Sequence, residues 1–227
     1  MSQKLTILFD LDGTLVNTAP DLMNAHNYVM KKYGYDERNL SDIKKLAGRG
    51  SKVMLTRSMH EIAELSGKIK KTDDVIEKMT KEFVDFYSKN IFKESVLKNG
   101  VLDFLTWCKK NSISMGVCTN KQEHLSIDLL KKIKIYHFFD YVAGGDTFNH
   151  NKPNPKHLTD TIEILGGEVN KTLMVGDSET DSNASKAANI PFILLIDGYT
   201  EKKTNEIYHD HLVKDFVGLE KIIEKYL

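Results

Sequence analysis

The sequence predicts an α/β protein: a doubly wound parallel sheet interrupted after its first strand by an all-helical insertion. Three observations carry this. A short apolar run, Leu5-Thr6-Ile7-Leu8-Phe9, opens the chain and ends in two carboxylates and a glycine, Asp10-Leu11-Asp12-Gly13. Residues 16–90 carry apolar positions at three- and four-residue spacing, the helical period. From Lys98 onward apolar strand-like runs alternate with helical patterns, the signature of parallel strands joined by crossover helices.

In chain order, 5–9 reads as a buried strand because its residues are apolar without alternation. Thr18-Ala19-Pro20-Asp21 is a helix start, followed by Leu22, Ala25, Val29 and Met30 on one face. Ser41-Asp42-Ile43 opens a short segment ending near Gly48, a further amphipathic helix covers 52–65, and Asp73-Asp74 begins a longer one with Val75, Ile76, Met79, Phe83 and Phe86 on one side. The block 16–90 is therefore expected to be helical and free of strands. Asn99-Gly100 leads a helix with Val101, Phe104, Leu105 and Trp107. Strand 113–118, helix 122–133, strand 138–143, helix 154–167, strand 173–176 and strand 191–196 follow. The first strand belongs with this later series, which gives a core of 1–15 and 91–227 and a helical cap of 16–90.

Alternate residues of an extended segment face the same way, so Asp10 and Asp12 share one small volume at a strand exit. Like charges this close call for a cation or a bound proton. A nucleophile beside an acid/base, a pair of metal ligands and a solvated turn all fit that pattern. In open parallel sheets, ligands bind beyond the carboxyl ends of the strands, where these residues lie. Three more polar groups occur at strand ends or loops of the same series: Thr119-Asn120, Lys152-Pro153, and Gly176-Asp177-Ser178-Glu179-Thr180-Asp181. In isolation, the first is a helix cap, the second a solvated lysine and the third another cap.

Taken in order, the four segments resemble the phosphatase branch of the haloacid dehalogenase superfamily over essentially the whole chain. The first motif is Phe9-Asp10-Leu11-Asp12-Gly13-Thr14-Leu15, the second Thr119, the third Lys152, and the fourth Asp177 with Asp181. Thr18-Ala19-Pro20-Asp21-Leu22, Gly48-Arg49-Gly50 and Gly198-Tyr199 look most like bacterial phosphoglycolate phosphatases. Asn17 stands where those proteins usually carry Asp, and Asn183 where they are usually aliphatic.

The resemblance implies a Rossmann-like core and hydrolysis of a small phosphorylated metabolite, 2-phosphoglycolate being favoured. It implies Asp10 as nucleophile through an aspartyl-phosphate, with Asp12 as acid/base. Mg2+ would be held by Asp10, Asp177 and the backbone carbonyl of Asp12, with Asp181 behind them orienting the metal's waters or Lys152. Thr119, Asn120 and Lys152 would hold the phosphoryl oxygens. Phosphomutases of the beta-phosphoglucomutase type use the same motifs, as do pyrophosphatases and nucleotide phosphatases. These are the alternatives, together with a binding module that has lost catalysis.

Arg49, between two glycines, is a surface arginine or a fork for a substrate carboxylate. Lys31, Lys32, Lys68, Lys70 and Lys71 read as solvated helix faces. The eight histidines have no ligand spacing, and Cys108 and Cys118 are reduced core residues. Formal charge is zero, giving no overall basic footprint for nucleic acid. No apolar stretch reaches the ~20 residues of a membrane span, so cytoplasmic action without a membrane partner is expected.

Overall fold

The computed structural model describes residues 4–66 and 73–227, and for 62–66 the backbone only. The lysines Lys68, Lys70 and Lys71 lie outside the described residues. The chain runs β1 (Thr6–Phe9), β2 (Val16–Asn17), α1 (Ala19–Lys32), α2 (Leu40–Leu46), α3 (Ser51–Ser66), α4 (Asp73–Lys89) and β3 (Val96–Leu97). It continues with α5 (Val101–Lys110), β4 (Ser114–Cys118), α6 (Glu123–Lys132), β5 (Tyr141–Ala143), α7 (Lys156–Ile164), β6 (Thr172–Gly176), α8 (Glu179–Ala188), β7 (Phe192–Leu195), β8 (His211–Val213) and α9 (Glu220–Ile223).

Six strands form one parallel sheet in the order β5-β4-β1-β6-β7-β8. β1 is the switch point: the chain builds outward from it through β4 and β5 on one side and through β6, β7 and β8 on the other. Its two faces bury different sets of side chains, as the two-residue period requires. Ile7 and Phe9 join one cluster with Val117, Leu173, Val175 and Ile193; Leu8 joins the other with Cys118, Leu158, Ile162, Met174 and Phe192. Phe9 meets Phe104 and Phe139 edge-on at 6.2 and 6.0 Å, an arrangement the ring quadrupoles favour. The apolar faces of α1 to α4 merge into the first cluster through Leu22, Val29, Met54, Met79 and Phe83. The helical block thus shares one continuous apolar cluster with that face of the sheet. Lys32 pairs with Glu82 at 2.9 Å.

The sequence expectation fails in three places. Residues 16–90 are not strandless, because Val16 and Asn17 pair antiparallel with Leu97 and Val96, and the helical block enters and leaves through this ribbon. Two residues per strand are too short to show a period, and their partners are ~80 positions apart. The strand expected over 138–143 is a 3₁₀ turn at Tyr136–Phe138 followed by a strand of three residues. The edge strand β8 shows no apolar run, since one of its faces is open to solvent. No helix among the described residues is long and apolar enough to cross a membrane.

Candidate active site

The site lies at the carboxyl end of β1, where the neighbouring strand ends converge. Asp10 follows the last residue of β1 and remains in the sheet's hydrogen bonding, its N–H donating to Val175 O at 2.9 Å. Thr119 is held the same way at the end of β4, donating its N–H to Ala143 O at 2.9 Å. Asp177 follows β6. Asp181 lies in the first turn of α8, and its Oδ2 accepts from Ser178 N at 3.1 Å, Ser178 Oγ at 2.8 Å and Asp177 N at 3.2 Å. A carboxylate here satisfies free amides at the helix N-terminus and meets the favourable end of its dipole.

Asp10, Asp177 and Asp181 are all buried, and each offers a carboxylate oxygen within 4.8 Å of the others. The contacting cation is Lys152, itself buried. Its Nζ lies 2.6 Å from Asp181 Oδ1 and 3.0 Å from Asp10 Oδ1. The first contact is a hydrogen bond; the second is an ion pair whose angle leaves Asp10 Oδ1 without one. Three carboxylates against one ammonium would leave two negative charges in a site of low dielectric, and burial resists their full ionisation. Burial pushes the Asp10 carboxyl up to about 6, with Lys152 opposing and Asp181 adding to the rise. Burial likewise pushes Asp177 to about 8, reinforced by Asp10 and Asp181. Against the effect of its own burial, Asp10 and Asp181 hold the Lys152 ammonium well above the ordinary lysine range.

This donor set fits a divalent cation. With all three carboxyls ionised its charge beside Lys152 is minus two, and its ligands are hard oxygens of buried carboxylates. Asp177 is fixed from both sides: Thr14 Oγ1 donates to Oδ1 and Tyr199 N to Oδ2, each at 2.6 Å. Gly13 is required beside it. Its φ is +86°, and a Cβ there would run into Asp177 Oδ2.

Asp12 is separately neutralised. Lys121 Nζ donates to its Oδ1 and Oδ2 at 3.1 and 3.0 Å, and Thr18 Oγ1 donates to Oδ1 at 2.8 Å. The same ammonium donates to the hydroxyl of Tyr87, on α4, at 2.9 Å. Asn120 turns its side chain away from the carboxylates: Nδ2 donates to Lys152 O at 2.9 Å and Gly48 O at 3.2 Å, joining three loops. A cavity of about 280 Å³ opens between the strand ends and the helical block, bordered by Asp10, Asp12, Thr119 and Lys121 on one side and Arg49 and Tyr87 on the other.

The structure therefore brings Asp10, Asp12, Thr119, Asn120, Lys152, Asp177 and Asp181 together. Arg49 stands at the rim of the cavity with its guanidinium half exposed and bonded to Glu179 at 3.0 Å. The sequence reading missed Lys121 and Tyr87, and it quoted Thr18 and Tyr199 without giving them a place in the site. Lys121 sits 109 positions from Asp12 and 34 from Tyr87, so no local pattern marks it. Its one signal is adjacency to Thr119-Asn120. The two cysteines are free and buried, and burial pushes each thiol to about 12.

The haloacid dehalogenase-like hydrolase family model matches residues 7–195. The phosphoglycolate phosphatase of Mesorhizobium japonicum is 35% identical over 94% of this chain and 92% of its own length. That of Agrobacterium fabrum is 34% identical over 96% and 94%. A crystal structure described as a predicted phosphoglycolate phosphatase from Haemophilus somnus superposes with a TM-score of 0.92, at 28% identity, over 98% of this chain and 99% of that one. With the ordered acidic site at the switch point of a parallel sheet, these matches show that the chain belongs to the haloacid dehalogenase-like hydrolases, as one of their phosphatases.

Proposed function

We propose that the protein is a Mg2+-dependent phosphomonoester hydrolase acting in the cytoplasm on a small phosphorylated metabolite, with 2-phosphoglycolate the favoured substrate. The observation that carries this reading is the buried Asp10, Asp177 and Asp181 cluster, three carboxyls against one ammonium, beside a cavity sized for a small molecule. The relatives named phosphoglycolate phosphatase support the choice of substrate. Residues 16–90 act as the cap that closes this cavity, over a core of 1–15 and 91–227.

Asp10 attacks phosphorus in line, forming an oxygen–phosphorus bond as the bond to the leaving alkoxide breaks. Asp12, entering this step in its protonated form, gives that alkoxide its proton. In the second displacement Asp12 takes a proton from water as the water attacks the aspartyl-phosphate, and the Asp10 carboxylate departs from phosphorus. Lys152, Thr119 and the Asn120 amide hold the phosphoryl oxygens. Lys152 lies ready for this, since it already touches Asp10. Asp10, Asp177 and the Asp12 carbonyl would hold Mg2+, which supplies positive charge against the phosphoryl oxygens. Asp181 keeps Lys152 in place.

The test is phosphate release from 2-phosphoglycolate with Mg2+, set beside a panel of small phosphoesters and sugar phosphates. Release that disappears in Asp10→Asn is expected. Isomerisation of a sugar phosphate without net phosphate release would replace this reading with a phosphomutase, and full activity in the variant would overturn the mechanism.

A further inference from the structure

Three stretches far apart in the chain meet beside Asp177: Asn17-Thr18-Ala19 at the entry to the helical block, Gly48 in its α2–α3 loop, and Gly198-Tyr199 after β7. Tyr199 is the residue that joins them. Its N–H donates to Asp177 Oδ2 at 2.6 Å. At the far end of the ring its hydroxyl donates to Asn17 Oδ1 at 2.8 Å and accepts from Ala19 N at 2.7 Å. Asn17 belongs to β2 and Ala19 opens α1, so the hydroxyl grips the ribbon and the helix together. Thr18, at the helix cap, makes no side-chain capping bond, and Tyr199 supplies an acceptor for the first free N–H of α1. The carbonyl of Tyr199 faces Gly48, where a Cβ would meet it at 3.5 Å. The residue is 2% exposed, and its ring lies on Gly13, whose Cβ would come within 3.0 Å of the ring's Cγ. Gly198 allows the close approach of this loop, since a Cβ there would overlap the Asp177 carbonyl oxygen.

We propose that Tyr199 is a positioning residue that couples the metal site to the ribbon carrying the helical block, fixing Asp177 as a ligand while Asn17 and Ala19 fix its own hydroxyl. This rests on the proposed function, specifically on Asp177 ligating Mg2+. A tyrosine ring is rigid and turns about two side-chain torsions, so the place of its hydroxyl restricts the place of its N–H. A shift of β2 and the start of α1 has two possible consequences. If Tyr199 follows, Asp177 Oδ2 loses its N–H donor and only Thr14 still orients the carboxylate. If Tyr199 stays, the hydroxyl and the Ala19 N–H, both in buried residues, lose each other as partners. Each route costs free energy, so the present set of the ribbon and the present orientation of Asp177 favour one another. Linkage makes the effect mutual: the ribbon improves the cation's affinity by the same factor by which a bound cation holds the ribbon. The loaded enzyme therefore meets its substrate with the wall of the cavity already set.

The test reads two quantities on the whole protein: the Kd for Mg2+ by titration calorimetry, and the exchange rate of the Ala19 amide by NMR with and without saturating Mg2+. Wild type, Tyr199→Phe, Asn17→Ala and the double variant are compared. In wild type, Mg2+ is expected to slow exchange at Ala19 about 10-fold, a typical coupling between two sites. Tyr199→Phe should weaken Mg2+ binding about 10-fold, as loss of a group that orients a ligating carboxylate does, and should abolish the effect of Mg2+ on exchange. Asn17→Ala removes only the acceptor of the hydroxyl and should weaken Mg2+ binding about 3-fold. Added to Tyr199→Phe it should cost nothing more, because its influence passes through the tyrosine. If Tyr199→Phe does not fold, judged by its melting curve, Asn17→Ala carries both readings alone. Unchanged Mg2+ affinity in Tyr199→Phe, exchange at Ala19 that ignores Mg2+ in wild type, or additive losses in the double variant would each overturn the coupling. A wild type that binds no Mg2+ at millimolar concentration overturns the metal reading, and the coupling with it. One that binds Mg2+ with the expected change at Ala19 but hydrolyses no phosphoester overturns the proposed function and leaves the coupling standing.

Discussion

Replacing the central carboxylate should make the metal-free protein more stable while removing its activity. Asp10 is buried with its carboxyl pushed from 3.8 to about 6. The sign follows from linkage: below 3.8 the carboxyl is protonated in both folded and unfolded chains, and its folded environment exacts no electrostatic penalty. Between 3.8 and about 6 the unfolded chain ionises first, so stability falls as pH rises, and above about 6 the loss is complete. At ~1.4 kcal/mol per pH unit the gap amounts to about 3 kcal/mol at pH 8. Asp10→Asn mimics the protonated acid at every pH and escapes that penalty. Lys152 gives up one partner in the variant but keeps Asp181 at 2.6 Å, which reduces the net gain to about 1–3 kcal/mol. At ~2–4 °C per kcal/mol for a chain of this size, Tm should rise by roughly 2–12 °C at pH 8. Near pH 4 the two proteins should nearly coincide. Thermal unfolding followed by circular dichroism from pH 4 to 8 in the presence of a chelator reads the effect directly. A variant less stable than wild type at pH 8, or a difference independent of pH, would refute the charge imbalance on which the metal fit depends.

Other outcomes follow from the same geometry. Adding millimolar Mg2+ at pH 8 should raise the wild-type Tm by several degrees through mass action, and should raise that of Asp10→Asn less, because one ligand charge is gone. Asp21→Ala should destabilise by about 3 kcal/mol, measured by urea unfolding. Its buried carboxylate accepts from Lys93 N, Glu94 N, Ser95 N and Ser95 Oγ, tying α1 to the segment that leaves the helical block. Gly13→Ala should lower kcat at least ~100-fold and cost about 2 kcal/mol of stability. Its positive φ disfavours a side chain, and the new methyl displaces Asp177.

The chemistry of the site was legible in one dimension because several of its residues follow a strand directly, and a strand end is marked by an apolar run giving way to polar residues. Asp10, Thr119 and Asp177 are all placed that way. The doubly wound core was legible for a related reason: strands buried on both faces are continuous apolar runs, as in Leu173-Met174-Val175. β8 and the β2–β3 ribbon were not legible. A half-exposed three-residue strand and a two-residue pairing leave too little pattern, and long-range partners fix both. Lys121 was invisible for a different reason, since a lysine in a loop is solvated unless folding carries an acid to it.

The sequence by itself determined the order of the elements and the acids at the strand ends, because local periodicity and the extended-chain geometry decide those. Only the tertiary structure decided the charges. It set one ammonium among three buried carboxylates, occupied Arg49 with Glu179, and buried Lys121 between Asp12 and Tyr87. The physical reason is that charge compensation depends on distance in space and on the exclusion of water, and neither exists until the sheet and its helical layer have closed on one another.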